Sequence, residues 1–101
     1  MRVVYESQLV LLEIERALEW WRANRDKAPD ALESDLEQAI DDLETRGAMI
    51  GTPVRHARLS NVRRLHLRRA RFFLYFRLSA DHETIAVLSL WHASRGTTPL
   101  I

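Results

Sequence analysis

The chain has no cysteine among its 101 residues. That excludes a disulfide scaffold, a thiolate metal site and a cysteine nucleophile. Glycine is scarce: Gly47, Gly51 and Gly96 are isolated, so no glycine-rich loop is available to cradle a phosphate. Lysine is scarcer still. Lys27 is the only one, and 14 of the 15 basic residues are arginine. Long apolar runs are missing too. The longest uncharged stretch, Thr84–Ser94, falls far short of the roughly 20 residues a membrane helix needs. Glu6 interrupts the N-terminus before a signal-peptide apolar region can form. A cytoplasmic protein without membrane contact is therefore expected. No histidine pair has the spacing of a helical zinc site, and neither a metal nor another cofactor is expected.

What is present is ordinary globular material, with 47% hydrophobic and 29% charged residues. The length suits one domain, residues 1–101, with one modest core. The net charge of +1 conceals a split. Residues 1–51 carry 12 acidic and 6 basic groups, whereas residues 52–101 carry 2 acidic and 9 basic ones. All four histidines, His56, His66, His82 and His92, fall in the second half. Such asymmetry points to an anionic partner for one half. Arginine is the planar, permanently charged choice for phosphate and carboxylate recognition.

The first half reads as helical. Met1–Tyr5 is β-branched enough to open as a strand, and Ser7 is a candidate N-cap. Val10, Ile14, Ala17, Leu18 and Trp21 then recur on one helical face, widened by Leu11 and Trp20. Asn24–Ala28 breaks the pattern. Pro29 suits the first turn of a second helix, whose apolar stripe is Leu32, Leu36, Ala39, Ile40 and Leu43. The rest of that helix, Asp35, Asp41 and Asp42 included, reads as a solvated acidic face. Gly47 is a natural stop. Two helices on a short linker predict a helical hairpin.

The second half changes period. Gly51-Thr52-Pro53 is a turn signal. From Val62 the residues alternate, with Leu65 and Leu67 on one face and Arg64, His66 and Arg68 on the other. Arg71–Leu78 is the clearest strand: Phe72, Leu74, Phe76 and Leu78 oppose Arg71, Phe73, Tyr75 and Arg77. Arg69–Arg71 predicts a tight turn, and Asp81-His82-Glu83 another. Ile85–His92 is apolar on both faces, as for a central strand. The tail, Ala93–Ile101, reads as irregular. The order is β-α-α-β-β-β, an α+β fold with an N-terminal helical hairpin packed on a small antiparallel sheet.

One constellation carries chemistry. Pairing of the strands would gather Arg64, His66, Arg68, Tyr75, Arg77, His92 and Arg95 on one polar face. Facing like charges are destabilising, so either an anion or an acidic partner compensates them, or the row is a solvated basic face that blunts the sheet edges. Phe73, Tyr75 and Trp91 supply stacking surfaces for bases.

Several stretches in this order resemble the RelE/ParE superfamily of bacterial type II toxins. They are the two-helix part ending at Gly51-Thr52-Pro53, then Val62-Arg63-Arg64-Leu65 and Leu74-Tyr75-Phe76-Arg77, and last Ile85–His92 with Ala93-Ser94-Arg95-Gly96. The arginine pair, the Tyr-Phe-Arg segment and the Trp-His-x-x-Arg ending are most similar to the ParE branch. The resemblance implies a toxin held inactive by a cognate antitoxin that wraps its surface, in a toxin–antitoxin hetero-oligomer. ParE-like members poison DNA gyrase. RelE-like members cleave mRNA on the ribosome.

By this resemblance Arg64, His66, Arg68, Tyr75, Arg77, His92 and Arg95 are expected to bind the target. Leu11, Ile14, Trp20 and Trp21 are expected to serve antitoxin binding or self-association. A nuclease would use His92, Arg64, Arg77 and Arg95 for acid–base and phosphate work. Phe73, however, stands where the nucleases carry an arginine, and no tyrosine follows Tyr75. These departures favour a gyrase-binding toxin over an mRNA endonuclease. A non-toxic binding module of the same fold is the third expectation.

Overall fold

The structure is a computed structural model describing residues 1–101. It begins with strand β1, Arg2–Tyr5, followed by helix α1, Gln8–Asn24, and helix α2, Ala31–Arg46. Strands β2, Thr52–Pro53, β3, Val62–Leu67, β4, Phe72–Leu78, and β5, Thr84–His92, complete one sheet in the order β1-β5-β4-β3-β2. The fold is α+β as expected, with two corrections, the first being that Thr52–Pro53, expected as a turn, pairs with β3 as an edge strand. The second is that the sheet is mixed, because β1 runs parallel to β5, pairing Arg2 with Thr84 and Tyr5 with Val87. The helices carry the chain from β1 to β2 at the opposite edge, and β3, β4 and β5 then return across the sheet to lie beside β1.

Both helices place their apolar stripes on one sheet face. Val10, Ile14 and Trp21 from α1 and Leu32, Leu36, Ala39 and Leu43 from α2 join Leu74, Phe76, Ile85, Val87 and Leu90 in a 16-residue core. Full burial of a Leu or Phe side chain stabilises by about 1.5–3 kcal/mol. The opposite face carries a smaller cluster, Val62, Tyr75 and Leu88, roofed by Val54, Ala57 and Ile101. Ile101 therefore folds back onto the sheet, and its backbone oxygen accepts a hydrogen bond from the Arg58 N–H at 2.7 Å. The rest of the tail is mostly exposed: Ala93–Arg95 forms one 3-10 turn, and only Pro99 and Ile101 are partly buried.

Several local features differ from the sequence reading. Ser7 occupies the N-cap of α1 in extended conformation, yet its hydroxyl caps nothing. Pro29 lies in the turn before α2, whose N-cap is Asp30, because the first α-type bond runs from the Ser34 N–H to the Asp30 carbonyl. Arg71 is not in a strand: the β3–β4 turn takes Arg68–Arg71, and Arg71 adopts φ 59°. Asp35 is not a solvated carboxylate. It accepts from Arg69 Nε at 2.8 Å and from the Ala70 N–H at 3.1 Å, clasping that turn to α2. Gly51 is required by close approach, since a Cβ there would lie 2.5 Å from Cζ of the buried Phe76 ring.

Strand β5 is central for only half its length. Over Ile85–Val87 it pairs with both β1 and β4, but beyond Val87 β1 has ended. The Glu13 carboxylate of α1 fills the vacated place. It accepts from the Leu90 N–H at 2.6 Å and from the Ser89 hydroxyl at 2.7 Å. A side chain thus substitutes for the missing strand's carbonyl and satisfies a half-buried donor.

Candidate functional site

The expected basic constellation does not assemble on one face. Cross-strand register puts Arg64 beside Tyr75, and His66 beside Phe73, which faces Trp91. These residues share the sheet face opposite the helices, as does Arg77. His92 pairs with Phe72 and lies on the other side, its ring edge-on to Phe72 at 4.9 Å. The cause is a β-bulge. Tyr75 pairs with Ser89 but Phe76 with Val87, so Leu88 is an extra residue on β5. One inserted residue reverses the alternation beyond it. His92 moves to the helix side and Trp91 to the far face.

The far face is built from stacked cations and rings. The Arg64 guanidinium lies 4.1 Å over the Phe73 ring, and its Nη1 donates to the Tyr75 hydroxyl at 3.3 Å. His66, exposed, stacks at a tilt on Phe73 with 4.9 Å between centroids. Arg95, just past β5, covers Trp91 at 4.1 Å. Tyr75 itself is only 1% exposed, so it acts as the floor that orients Arg64 rather than as a contact surface. Arg77 is half-buried, and its Nε is buried without a hydrogen-bond partner. Arg68 sits in the β3–β4 turn, off the row formed by Arg64 and His66. The only two ion pairs, Arg22–Glu33 and Arg69–Asp35, lie elsewhere. The charges on this face are therefore unneutralised within the chain.

A second site lies on the helix side. A groove of about 810 Å³ runs between α1 and the end of β5, with Leu12, Arg16 and Trp20 on one wall and Leu90, His92 and Arg95 on the other. Of the four residues expected to bind the antitoxin, Leu11 and Trp20 are 41% and 47% exposed. Ile14 and Trp21 are core residues and are not available to a partner. The Trp21 indole instead donates to the Ala28 carbonyl at 2.8 Å, tying down the helix linker. Leu9 and Leu12 were missing from the expected set, yet both are exposed. Their signal was legible: positions 9, 12, 16 and 20 recur at helical spacing, a second stripe beside the core one. Arg25, over Trp20 at 5.1 Å, closes one end of the groove. The His92 Nδ1 accepts from the Ser94 N–H at 3.2 Å, which fixes the ring at the groove wall.

His92 and Arg64, on opposite sides of a packed sheet, cannot act on one phosphate. The nuclease set is thus divided between two candidate surfaces, with Arg95 at the margin of both. No helix is long and apolar enough to cross a membrane.

A helix pair laid over one face of a small mixed sheet defines the class of fold shared with known toxins. A chain of the chromosomal ParDE toxin–antitoxin system from P. aeruginosa is similar at TM-score 0.69 and 20% identity, covering 93% of this chain and 97% of that one. The isolated E. coli RelE toxin is similar at TM-score 0.50 and 17% identity, covering 94% and 86%. At these identities the likeness shows the fold. No curated protein matches the chain. The family model for the ParE toxin of the type II toxin–antitoxin system, parDE, matches residues 4–96. The chain belongs to the ParE toxin family.

Proposed function

We propose that this chain is a cytoplasmic toxin that inhibits DNA gyrase by binding it, and that a cognate antitoxin neutralises it. Membership of the ParE family supports the toxin and its antitoxin. The observation that favours binding over cleavage is the bulge-driven separation of His92 from Arg64. In this reading Arg64, His66, Arg77 and Arg95 meet the target on the far face. The groove lined by Leu12, Arg16 and Trp20 takes an antitoxin segment with apolar residues and carboxylates, since arginines close its ends. An apolar segment seated there would gain burial energy, and its acids would meet unpaired guanidiniums.

The test is a supercoiling assay with purified gyrase and the full chain. Inhibition that scales with the chain's concentration is expected. Unimpaired supercoiling, together with discrete cuts in translated mRNA, would replace this reading with an mRNA endonuclease. Unimpaired supercoiling without growth arrest on expression would leave a non-toxic binding module.

A further inference from the structure

The far face continues into a separate cavity at its β2 edge. That cavity, about 320 Å³, is lined by Arg55, His56, Arg64, Tyr75 and Thr98 with Ile101 at its base. No Asp or Glu lines it. None is near in sequence either: the chain has no acidic side chain between Glu44 and Asp81, or after Glu83. The Tyr75 hydroxyl holds the Arg64 guanidinium in place, and the Ile101 backbone oxygen is already engaged by the Arg58 N–H. The remaining polar groups are two guanidiniums, the His56 imidazole and a threonine hydroxyl, a donor set that fits a phosphoryl oxygen cluster.

One row away on the same face, His66, Phe73 and Trp91 lie side by side across three strands. Arg64 and Arg95 present guanidinium planes, each backed by one of these rings. Rings and guanidinium planes are the surfaces on which unpaired bases stack. An acidic protein segment would use the cations but would have no need of the stacked row. A duplex keeps its bases inward and would use only the charges.

We propose that the far face binds single-stranded nucleic acid directly, with a backbone phosphate in the Arg55–His56–Arg64 cavity and a neighbouring base stacked on the exposed His66 ring beside the guanidiniums that cover Phe73 and Trp91. The recognised chemistry is a phosphodiester beside an unpaired base, so DNA and RNA strands are both ligands. This inference does not rest on the gyrase reading, and its test contains no gyrase.

The test is fluorescence anisotropy with labelled homopolymers of deoxythymidine and of uridine, about 12 nucleotides long to span one platform. Both bind, with similar affinity. The one phosphate held in the cavity predicts a log–log salt slope of about −0.7 on a single strand. Arg64→Glu weakens binding by about tenfold or more, because it replaces a phosphate contact with a repulsion. Arg55→Glu, in an exposed loop that tolerates substitution, weakens it similarly and covers the case in which Arg64→Glu fails to fold. His66→Ala lowers affinity without changing the salt slope, as loss of a stacking surface requires. Arg46→Ala, at the exposed end of α2 and in neither surface, leaves binding unchanged.

Absence of binding at about 100 µM protein in low salt, where even non-specific association is seen, overturns the proposal. So does equal binding of duplex, equal competition by polyglutamate, or indifference to both charge reversals. A preference for the uridine strand of tenfold or more would overturn the shared-chemistry claim, since it requires 2′-hydroxyl readout.

Discussion

The two faces of this sheet share three strands and differ in almost everything else. On the helix side the strands present Leu74, Phe76, Ile85 and Val87, all fully buried under two helices. On the far side they present Val62, Tyr75 and Leu88 under a loop and the chain's tail. The acidic half of the sequence lies mostly on the outer surface of the helical layer, and the basic half forms the sheet. If the helices neutralised the arginines, ion pairs would connect the layers, but only Asp35 to Arg69 does so. The difference teaches that one face was built for stability and the other left charged and accessible.

The largest expected effect bears on that asymmetry. Phe76→Ala empties a fully buried site on the helix side and should cost about 3–5 kcal/mol in urea unfolding. Leu88→Ala, on the thinly roofed face, should cost about 2 kcal/mol, at the low end for a leucine truncation, because the tail can settle into the space. Equal costs would mean that the far face is as tightly packed as the core.

A smaller effect concerns the half-open edge of β5. Glu13→Ala leaves the Leu90 N–H and the Ser89 hydroxyl without their acceptor, at a cost of about 1–3 kcal/mol. Glu13→Gln keeps an acceptor oxygen and should lose less. If both variants lose the same, the negative charge matters more than the hydrogen bonds.

Much of this is legible in the sequence alone. The inward stripes of α1 and α2 follow from helical spacing, and the alternation of β4 fixed which of its residues enter the core. What was not legible depended on partners distant in sequence. Val3 and Val4 mark β1 as a strand, but nothing local says that its neighbour is β5 and parallel. Two residues, Thr52 and Pro53, are too few to show a strand by periodicity. The site was misjudged at one point with one cause: plain alternation from Ile85 puts His92 on the far side and Trp91 inside. The bulge at Leu88 reverses both, and no residue type in Ala86–Ser89 signals it. Asp35 looked solvated because its partners, Arg69 and Ala70, lie more than thirty residues on.

The smallest effect lies in the β4–β5 turn, away from both faces. The Ser79 hydroxyl, the Glu83 N–H and the Thr84 N–H hold the Asp81 carboxyl below its ordinary value. A depressed carboxyl contributes stability that is present above its unfolded pKa, about 3.9, and lost as pH falls through the folded one. Asp81→Asn should therefore be slightly less stable than the parent at neutral pH and equal to it in strong acid. Thermal melts across that range check the sign. A gap that persists in strong acid would assign the effect to the turn's geometry instead of its charge.

The central claim is that the two surfaces do different work: the far face meets the target, and the α1 groove meets the antitoxin. Its most direct test is gyrase supercoiling in the presence of two variants side by side, with Arg64→Glu on the far face and Leu12→Asp in the groove. Both should retain the parent's circular dichroism, since neither side chain belongs to the helix-side core. The account predicts that Arg64→Glu loses inhibition while Leu12→Asp inhibits as well as the parent. Inhibition lost with Leu12→Asp and kept with Arg64→Glu would contradict it.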